Sequence, residues 1–261
     1  MSQPRYKILV VAPAWVGDMV MAQALFKRLH QLHPGLELDV LAPEWTLPLL
    51  ARMPEVRAAI PNPFRHGELK LGARYRLGRS LRARGYGQAI VLPNSWKSAL
   101  VPFFAGIPKR SGYRGEMRWG LLNDRRKLDK SKLPLMVERF VALADAPGSA
   151  LQIPLPQPAL SVDESRRQVT LAKLGLAEST KIAALCVGAE YGPAKRWPPQ
   201  HFAELGKKLQ QQGYQVWLAG SAKDAEAGSE AARLSGGACI DLCGKTSLDE
   251  VVDLLASASA V

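Results

Sequence analysis

The chain has 261 residues, 47% of them apolar, and a formal net charge of +12. That length and content allow one large core or two modest ones, and no apolar run reaches the roughly eighteen residues of a membrane span. Ile8 to Ala12 is too short for a signal-peptide core, so a cytoplasmic protein is expected. Cys186, Cys239 and Cys243 form an odd, sparse set. The C-x-x-x-C pair has no second pair to complete a zinc site, so all three read as reduced structural thiols. The charge is uneven: residues 1–160 hold 24 Lys and Arg against 11 Asp and Glu, and residues 161–261 hold 11 against 12. The excess gathers in two runs, Arg65 to Arg84 and Lys109 to Lys127. A solvated basic face explains either run alone. Two runs beside a neutral half favour an anionic ligand or surface. Nucleic acid fits the sign, but no recognition-helix, zinc-finger or RNA-binding signature accompanies it.

In chain order, Lys7 to Met21 (KILVVAPAWVGDMVM) opens as a buried β-branched strand. It breaks at Pro13 to Gly17 and resumes at helical spacing with Met19, Ala22, Leu25, Phe26 and Leu29. Strand, tight turn and helix open a doubly wound α/β domain, whose ligands sit outside the carboxyl ends of the strands. Gly17 lets a ligand approach closely, and Asp18 enters the first helical turn, as a functional carboxylate or as an N-cap. No G-x-G-x-x-G is present, so a dinucleotide is not expected at this turn. Glu37–Leu41 reads as the second strand, Leu47–Met53 as a short helix and Val56–Ile60 as the third strand. A loop spans Pro61 to His66, and a basic helix spans Lys70 to Arg84. Gln88–Leu92 is the fourth strand, followed by the break at Pro93-Asn94-Ser95 and a helix over Ser98–Phe104. Gly106 to Gly115 (GIPKRSGYRG) carries too much Gly, Pro and charge for a buried element and reads as a surface loop. Leu133–Ala144 is amphipathic helix. Ile153–Pro158 (IPLPQP) is a stiff extended connection. It sets the boundary between domains 1–158 and 159–261.

The pattern then restarts. A helix opens at Asp163-Glu164, where the dipole favours acids, and stops at Gly175. Lys181–Val187 is a buried strand, followed by the loop GAEYGPAKRWP (188–198) and a helix that begins near Pro198. Gln215–Ala219 is the next strand, then Gly220 to Asp224, a helix over Ala225–Leu234, a short strand over Ala238–Leu242 and a helix over Leu248–Ala256. Ser259-Ala260-Val261 reads as the start of a further strand. Three strands alone would leave an unpaired parallel edge. The C-terminal domain is therefore expected to be partial and the chain a fragment.

Three segments make the pattern specific: PAWVGDMVM (13–21), LPNSWKSALVPFFAGIPKRSGYRGEMRWGLLND (92–124) and GAEYGPAKRWP (188–198), with GSAKD (220–224) in support. They resemble glycosyltransferase family nine, the ADP-heptose:lipopolysaccharide heptosyltransferases of Gram-negative bacteria, and within it the members that add the second heptose. The similarity runs across essentially the whole chain. It implies a GT-B fold, two Rossmann-like domains facing across a cleft, with the acceptor on the N-terminal side and the nucleotide-sugar on the C-terminal side. It also implies metal-independent, inverting transfer of heptose from ADP-L-glycero-β-D-manno-heptose to the first heptose of the inner core. Family members continue into a strand and an Asn-Asp-Ser-Gly loop that grips the donor, and this sequence stops short of them, so turnover by the chain as it stands is in question.

Inverting transfer needs a carboxylate to take the proton of the attacking hydroxyl, and the resemblance assigns that base to Asp18. The departing diphosphate needs a cation and helix N-terminal amides. Lys195, just before the helix at Pro198, offers both, with Arg196 as its alternative. Asp224 is placed to bind ribose hydroxyls or to cap the following helix. Gly17, Lys195, Arg196 and Asp224 are the expected donor contacts. Asn94, Ser95, Lys97, Lys109 and Arg110, grouped after the fourth strand, are the expected acceptor contacts. Trp15 and Trp197 read as core. The basic runs suit the anionic inner core and the cytoplasmic leaflet that anchors it, which implies peripheral, salt-sensitive membrane contact. Two rivals remain at this level: a sibling enzyme that adds the first heptose to Kdo, and a non-enzymatic, nucleotide-regulated protein that binds nucleic acid through its basic domain.

Overall fold

Strand β1 (Lys7–Val11) is buried along its length, and its Ile8, Leu9 and Val10 are wholly excluded from solvent in the computed structural model, which describes residues 6–65, 67–177, 181–189 and 192–261. It pairs in parallel with β2 (Glu37–Pro43) on one side and with β4 (Gln88–Val91) on the other. With β3 (Ala58–Asn62), β5 (Lys109–Tyr113) and β6 (Asp124–Arg126) the sheet runs β3-β2-β1-β4-β5-β6, every pairing parallel. This is the doubly wound order, and the winding reverses between β1 and β4. The helices between these strands are α1 (Val16–Leu32), α2 (Leu47–Leu50), α3 (Leu71–Leu81) and α4 (Leu100–Phe104), and α5 (Met136–Val141) follows β6. Helix α1 buries the five apolar residues that its period predicts, and the four large ones, Met19, Leu25, Phe26 and Leu29, each contribute about 1.5–3 kcal/mol over exposure.

The second unit repeats the plan. Helix α6 (Glu164–Leu174) is capped by Asp163, whose side chain accepts from the Arg166 N–H, and ends at Gly175 in the left-handed conformation. Strands β7 (Ile182–Cys186), β8 (Gln215–Ala219) and β9 (Cys239–Asp241) form a parallel sheet in the order β7-β8-β9. Helices α7 (Pro199–Gln211), α8 (Ala225–Leu234) and α9 (Leu248–Leu255) complete it. The expected further strand begins where predicted: Ala260 pairs in parallel with Ala183 on the free side of β7, and its carbonyl accepts the Ala184 N–H at 2.9 Å.

The chain divides at Met1–Ser161 and Val162–Val261. The division falls beyond Pro158 because the proline-rich segment is tied to the first unit. Buried Gln23 accepts the Ala159 N–H at 2.8 Å and donates to its carbonyl at 2.9 Å, and Ser161 bonds the Arg52 carbonyl.

Two expectations fail in the first unit. Gly106 to Gly115 is not all surface loop, because Lys109–Tyr113 forms β5 and its Ser111, Gly112 and Tyr113 are buried. Gly112 permits this, since a Cβ there would stand 2.9 Å from the Val91 carbonyl oxygen. Asp124–Arg126, counted as part of a basic run, forms β6, with Arg126 buried and its Nη1 donating to the Ala142 and Asp145 carbonyls at 2.7 Å each. In the second unit the Cys186 thiol is exposed at the end of β7, whereas Cys239 and Cys243 are buried and all three are free.

Asp39, wholly buried on β2, anchors a charge cluster in the first unit. Its carboxylate accepts two bonds from Arg57 at 2.8 and 2.7 Å, one from Arg84 at 3.0 Å and one from the Tyr86 hydroxyl at 2.5 Å. Burial alone would push its pKa up, but these donors outweigh burial and hold it below the usual carboxylate range. Removing one partner of a buried ion pair costs about 3–5 kcal/mol, and the part-exposed arginines put Asp39→Ala near the lower end. Because the folded pKa lies below the unfolded value of about 4, this contribution is present above about pH 4 and is lost as the pH falls through the folded value. Urea unfolding of Asp39→Ala at neutral pH should show a loss of about 3 kcal/mol, and the difference from the parent should shrink in acid. A variant as stable as the parent at neutral pH would contradict this account.

Candidate active site

The first unit offers its site where the winding reverses. The Leu92 N–H donates to the Val11 carbonyl at 3.0 Å, so the chain leaves β1 and β4 side by side. From β1 it enters α1 at once, with Trp15 as the N-cap residue and no side-chain cap bond. Asp18 is the third residue of that helix and does not cap it, which removes the N-cap alternative. Its carboxylate is half-buried, and burial pushes its pKa above the ordinary value. Among the described residues no hydrogen bond or ion pair engages this side chain. A desolvated, uncommitted carboxylate at the carboxyl end of a central strand can accept a proton from a bound hydroxyl. Gly17 beside it is exposed, and a Cβ there would meet nothing within 4 Å. Its own fold does not require glycine at that position, and the open space suits a ligand. Trp15 and Trp197, expected in the core, are each about half exposed, at 51% and 48%. Trp197 stacks on His201, with ring centroids 5.3 Å apart.

The five residues expected together after the fourth strand do not form one group. Asn94, Ser95 and Lys97 lie beyond the carboxyl end of β4, next to the Asp18 turn. Lys109 and Arg110 lie at the amino end of β5, in register with Gln88 and Ala89 at the start of β4. The parallel register puts them at the opposite end of the sheet. Arg110 is further committed to main chain there, donating to the carbonyls of Leu121 and Ile107 at 2.6 Å each. Lys97 donates to the Gly67 carbonyl at 2.8 Å, and Asn94 carries loop contacts of its own, its carbonyl accepting the Glu116 N–H.

Arg118 holds that loop in place, and reading it as part of a basic surface run missed this. It is 2% exposed, and it donates to the Pro93 carbonyl at 2.7 Å, to Asn94 Oδ1 at 3.3 Å and to the Tyr113 carbonyl. Arg74 is similarly buried, donating to the carbonyls of Leu69, Glu68 and Lys97, with its guanidinium 4.1 Å from the Phe64 ring centroid. Part of each basic run is therefore internal scaffold. No local sequence pattern signals this, since Arg74 lies between Ala73 and Tyr75 and Arg118 between Met117 and Trp119.

The second unit presents its loops at the carboxyl ends of β7 and β8. Asp224 packs over Gly188, where a Cβ would stand 2.4 Å from its Oδ2. Oδ2 accepts the Ser221 N–H at 2.9 Å and the Ser221 hydroxyl at 2.7 Å. Asp224 occupies the N-cap position of α8 but makes no cap bond there. Its Oδ1 has no hydrogen-bond partner among the described residues. Asp224 and Arg196 line one cleft of about 360 Å³ with Val187, Lys223 and Glu230. Lys195 is exposed, at the end of the turn Pro193–Lys195 just before it. Glu190 and Tyr191 of this loop lie outside the described residues, as does His66 of the earlier one. The amide contribution expected from α7 is smaller than anticipated. Pro198 and Pro199 have no N–H, and the His201 N–H is used by the Pro198 carbonyl, so a bound anion would depend mainly on Lys195 and Arg196. Among the described residues no group of three or more His, Cys, Asp or Glu side chains could hold a metal ion.

Comparison with known proteins places this geometry. The family model for glycosyltransferase family 9 (heptosyltransferase) matches residues 74–261. Lipopolysaccharide heptosyltransferase 2 of Escherichia coli is 53% identical over 264 residues, covering 98% of this chain and 76% of that protein. Lipooligosaccharide heptosyltransferase 2 of Haemophilus influenzae is 49% identical, covering 97% of this chain and 76% of that protein. The solved structure of E. coli ADP-heptose lipopolysaccharide heptosyltransferase II superposes with a TM-score of 0.88 at 50% identity, covering 97% of this chain and 77% of that one. The parallel sheets, their winding and the family match agree: this chain belongs to glycosyltransferase family 9, the heptosyltransferases, and has their GT-B fold.

Proposed function

We propose that the protein moves L-glycero-D-manno-heptose from ADP-L-glycero-β-D-manno-heptose to the first heptose of the lipopolysaccharide inner core, without a metal ion. The observation that carries this reading is 53% identity, over 98% of the chain, to a protein named lipopolysaccharide heptosyltransferase 2. In this reading the acceptor hydroxyl binds at the Asp18 turn. As its oxygen bonds to the anomeric carbon, its proton passes to the Asp18 carboxylate and the carbon–diphosphate bond breaks. ADP leaves with the bonding electrons, and the configuration inverts. Burial pushes the Asp18 pKa above its ordinary value and so strengthens it as a base. Lys195 and Arg196 offset the charge that gathers on the diphosphate. Asp224 Oδ1 accepts from a ribose hydroxyl, while Ser221 holds the other oxygen. Asn94, Ser95 and Lys97, on the Asp18 side of the sheet, contact the acceptor. Lys109 and Arg110 sit at the far end of the sheet and take no part in acceptor binding in this reading. The enzyme works at the cytoplasmic face of the inner membrane. Its contact with that face is peripheral, through the basic surface of the first unit. Among the described residues no helix is long and apolar enough to cross a membrane.

Release of ADP tests the acceptor assignment. It should require ADP-heptose and an acceptor that already carries the first heptose, and release with a Kdo-only acceptor would assign the earlier step instead. Asp18→Asn should leave melting and ADP affinity unchanged and lower the transfer rate by about a thousandfold. If a tenth or more of the rate survives, the base lies elsewhere.

The two cations should separate by readout. Arg196→Ala, which empties a cleft wall beside Asp224, should weaken ADP binding by about tenfold, the scale of one charge-assisted hydrogen bond. Lys195→Ala should act mainly on the transfer rate. Calorimetry with ADP and single-turnover transfer distinguish the two effects. Equal losses in both measurements for both variants would remove the division of labour.

A further inference from the structure

The segment 114–123, between β5 and β6, has a design that acceptor binding does not explain. Arg118 points inward, and its guanidinium is held by the Pro93 and Tyr113 carbonyls and by Asn94 Oδ1. Gly115 packs against Asn94, where a Cβ would stand 2.5 Å from the carbonyl oxygen, and the Glu116 carboxylate accepts the Trp96 N–H at 3.1 Å. With Arg118 pinned, its two neighbours are forced outward: Met117 is 84% exposed and Trp119 is 74% exposed. Among the described residues of the first unit, only Ile153, at 75%, is a large apolar side chain of comparable exposure. A soluble surface tolerates scattered apolar residues, but a Met and a Trp held out on a braced loop form a deliberate apolar tip.

The charge around the tip is one-sided. The Arg125 guanidinium lies 3.9 Å from the Trp119 ring centroid, and Arg114 and Lys127 are exposed nearby in the chain. The two acids of the stretch are occupied, Glu116 by the Trp96 N–H and Asp124 by Arg126 and Ser111. A Trp whose ring carries a cation, beside a long flexible Met and a ring of bases, matches the boundary of an anionic bilayer: the apolar groups enter and the cations meet the phosphates. The loop is braced against Asn94, at the carboxyl end of β4, so its tip lies on the same edge of the sheet as Asp18.

We propose that Met117 and Trp119 insert into the anionic lipid surface and that Arg114, Arg125 and Lys127 bind its headgroups, docking the Asp18 edge of the first unit against the membrane. This rests on the reading that the acceptor is anchored in that membrane. Flotation with vesicles of phosphatidylethanolamine and phosphatidylglycerol, beside vesicles of phosphatidylcholine, tests it. The parent protein should float with the anionic vesicles, and less so as salt rises. Met117→Ser with Trp119→Ser should lower that partition by about tenfold with an unchanged melting midpoint. Met117→Lys guards against misfolding in the double variant. It adds a cation but removes apolar surface, so it should also bind less well. Stronger binding by Met117→Lys would show plain charge attraction and overturn the insertion. Equal binding to phosphatidylcholine would overturn the headgroup role. A parent protein that ignores both vesicles would assign the tip to a protein partner and overturn the whole. The assay reads binding and not transfer, so a failed transfer reaction would count against the functional reading alone.

Discussion

The structure depends on the parallel pairing of β1 with β2 on one side and β4 on the other. Parallel strands need crossover connections, and right-handed crossovers put helices on both faces. Helices on both faces let β1 run Ile-Leu-Val-Val and β4 run Ala-Ile-Val, all of these residues buried. Because winding proceeds outward in both directions from this pair, the connections leaving β1 and β4 part at their carboxyl ends. The gap they leave is where Asp18 stands, with no hydrogen bond or ion pair to its side chain among the described residues. The position proposed for the base is thus a consequence of topology, and burial there raises the basicity of the carboxylate.

The second unit is organised by the same constraint on a smaller sheet. Ala260 on one side of β7 and β8 on the other reproduce the reversal, and the loop carrying Lys195 and Arg196 leaves β7 at that point. Close packing does the positioning there. Gly188 has no side chain, so the Asp224 carboxylate can settle over the end of β7, and Ser221 fixes one of its oxygens. The second oxygen has no hydrogen-bond partner among the described residues. Two successive prolines remove two of the N–H groups at the start of α7, which reduces what that helix end can offer an anion.

The basic composition of the first unit has two separate uses. Arg74, Arg118 and Arg126 are buried, and each donates to two or three main-chain carbonyls of loops or helix ends. A guanidinium offers five donors in a rigid fork, so one side chain can hold several carbonyls that no strand or helix satisfies. Such residues fasten the loops around the site. The cations left outside, among them Arg76, Arg79, Arg114 and Lys127, supply the field that faces anionic material. Net charge alone does not distinguish the two groups.

The sequence by itself determined the alternation of strand and helix up to β4 and through the second unit, because apolar periodicity and Gly or Pro breaks act within a few residues. β1, α1, β4, α6, β8 and the Ser259 to Val261 strand start all fall where local pattern put them. It also put Asp18 in the turn after β1 and Asp224 in the turn after β8, since those turns follow from that order. Only the tertiary structure decided what depends on partners distant in sequence. β5 and β6 look like charged loop and become strands because β4 offers a hydrogen-bonding edge and Gly112 lets the chains approach. Lys109 and Arg110, close in sequence to the acceptor-side residues, are carried to the other end of the sheet by the parallel register. Whether an arginine faces solvent or a cluster of carbonyls depends on which backbone ends meet around it. No local pattern encodes that meeting, because it is created by the packing of strands that lie far apart along the chain.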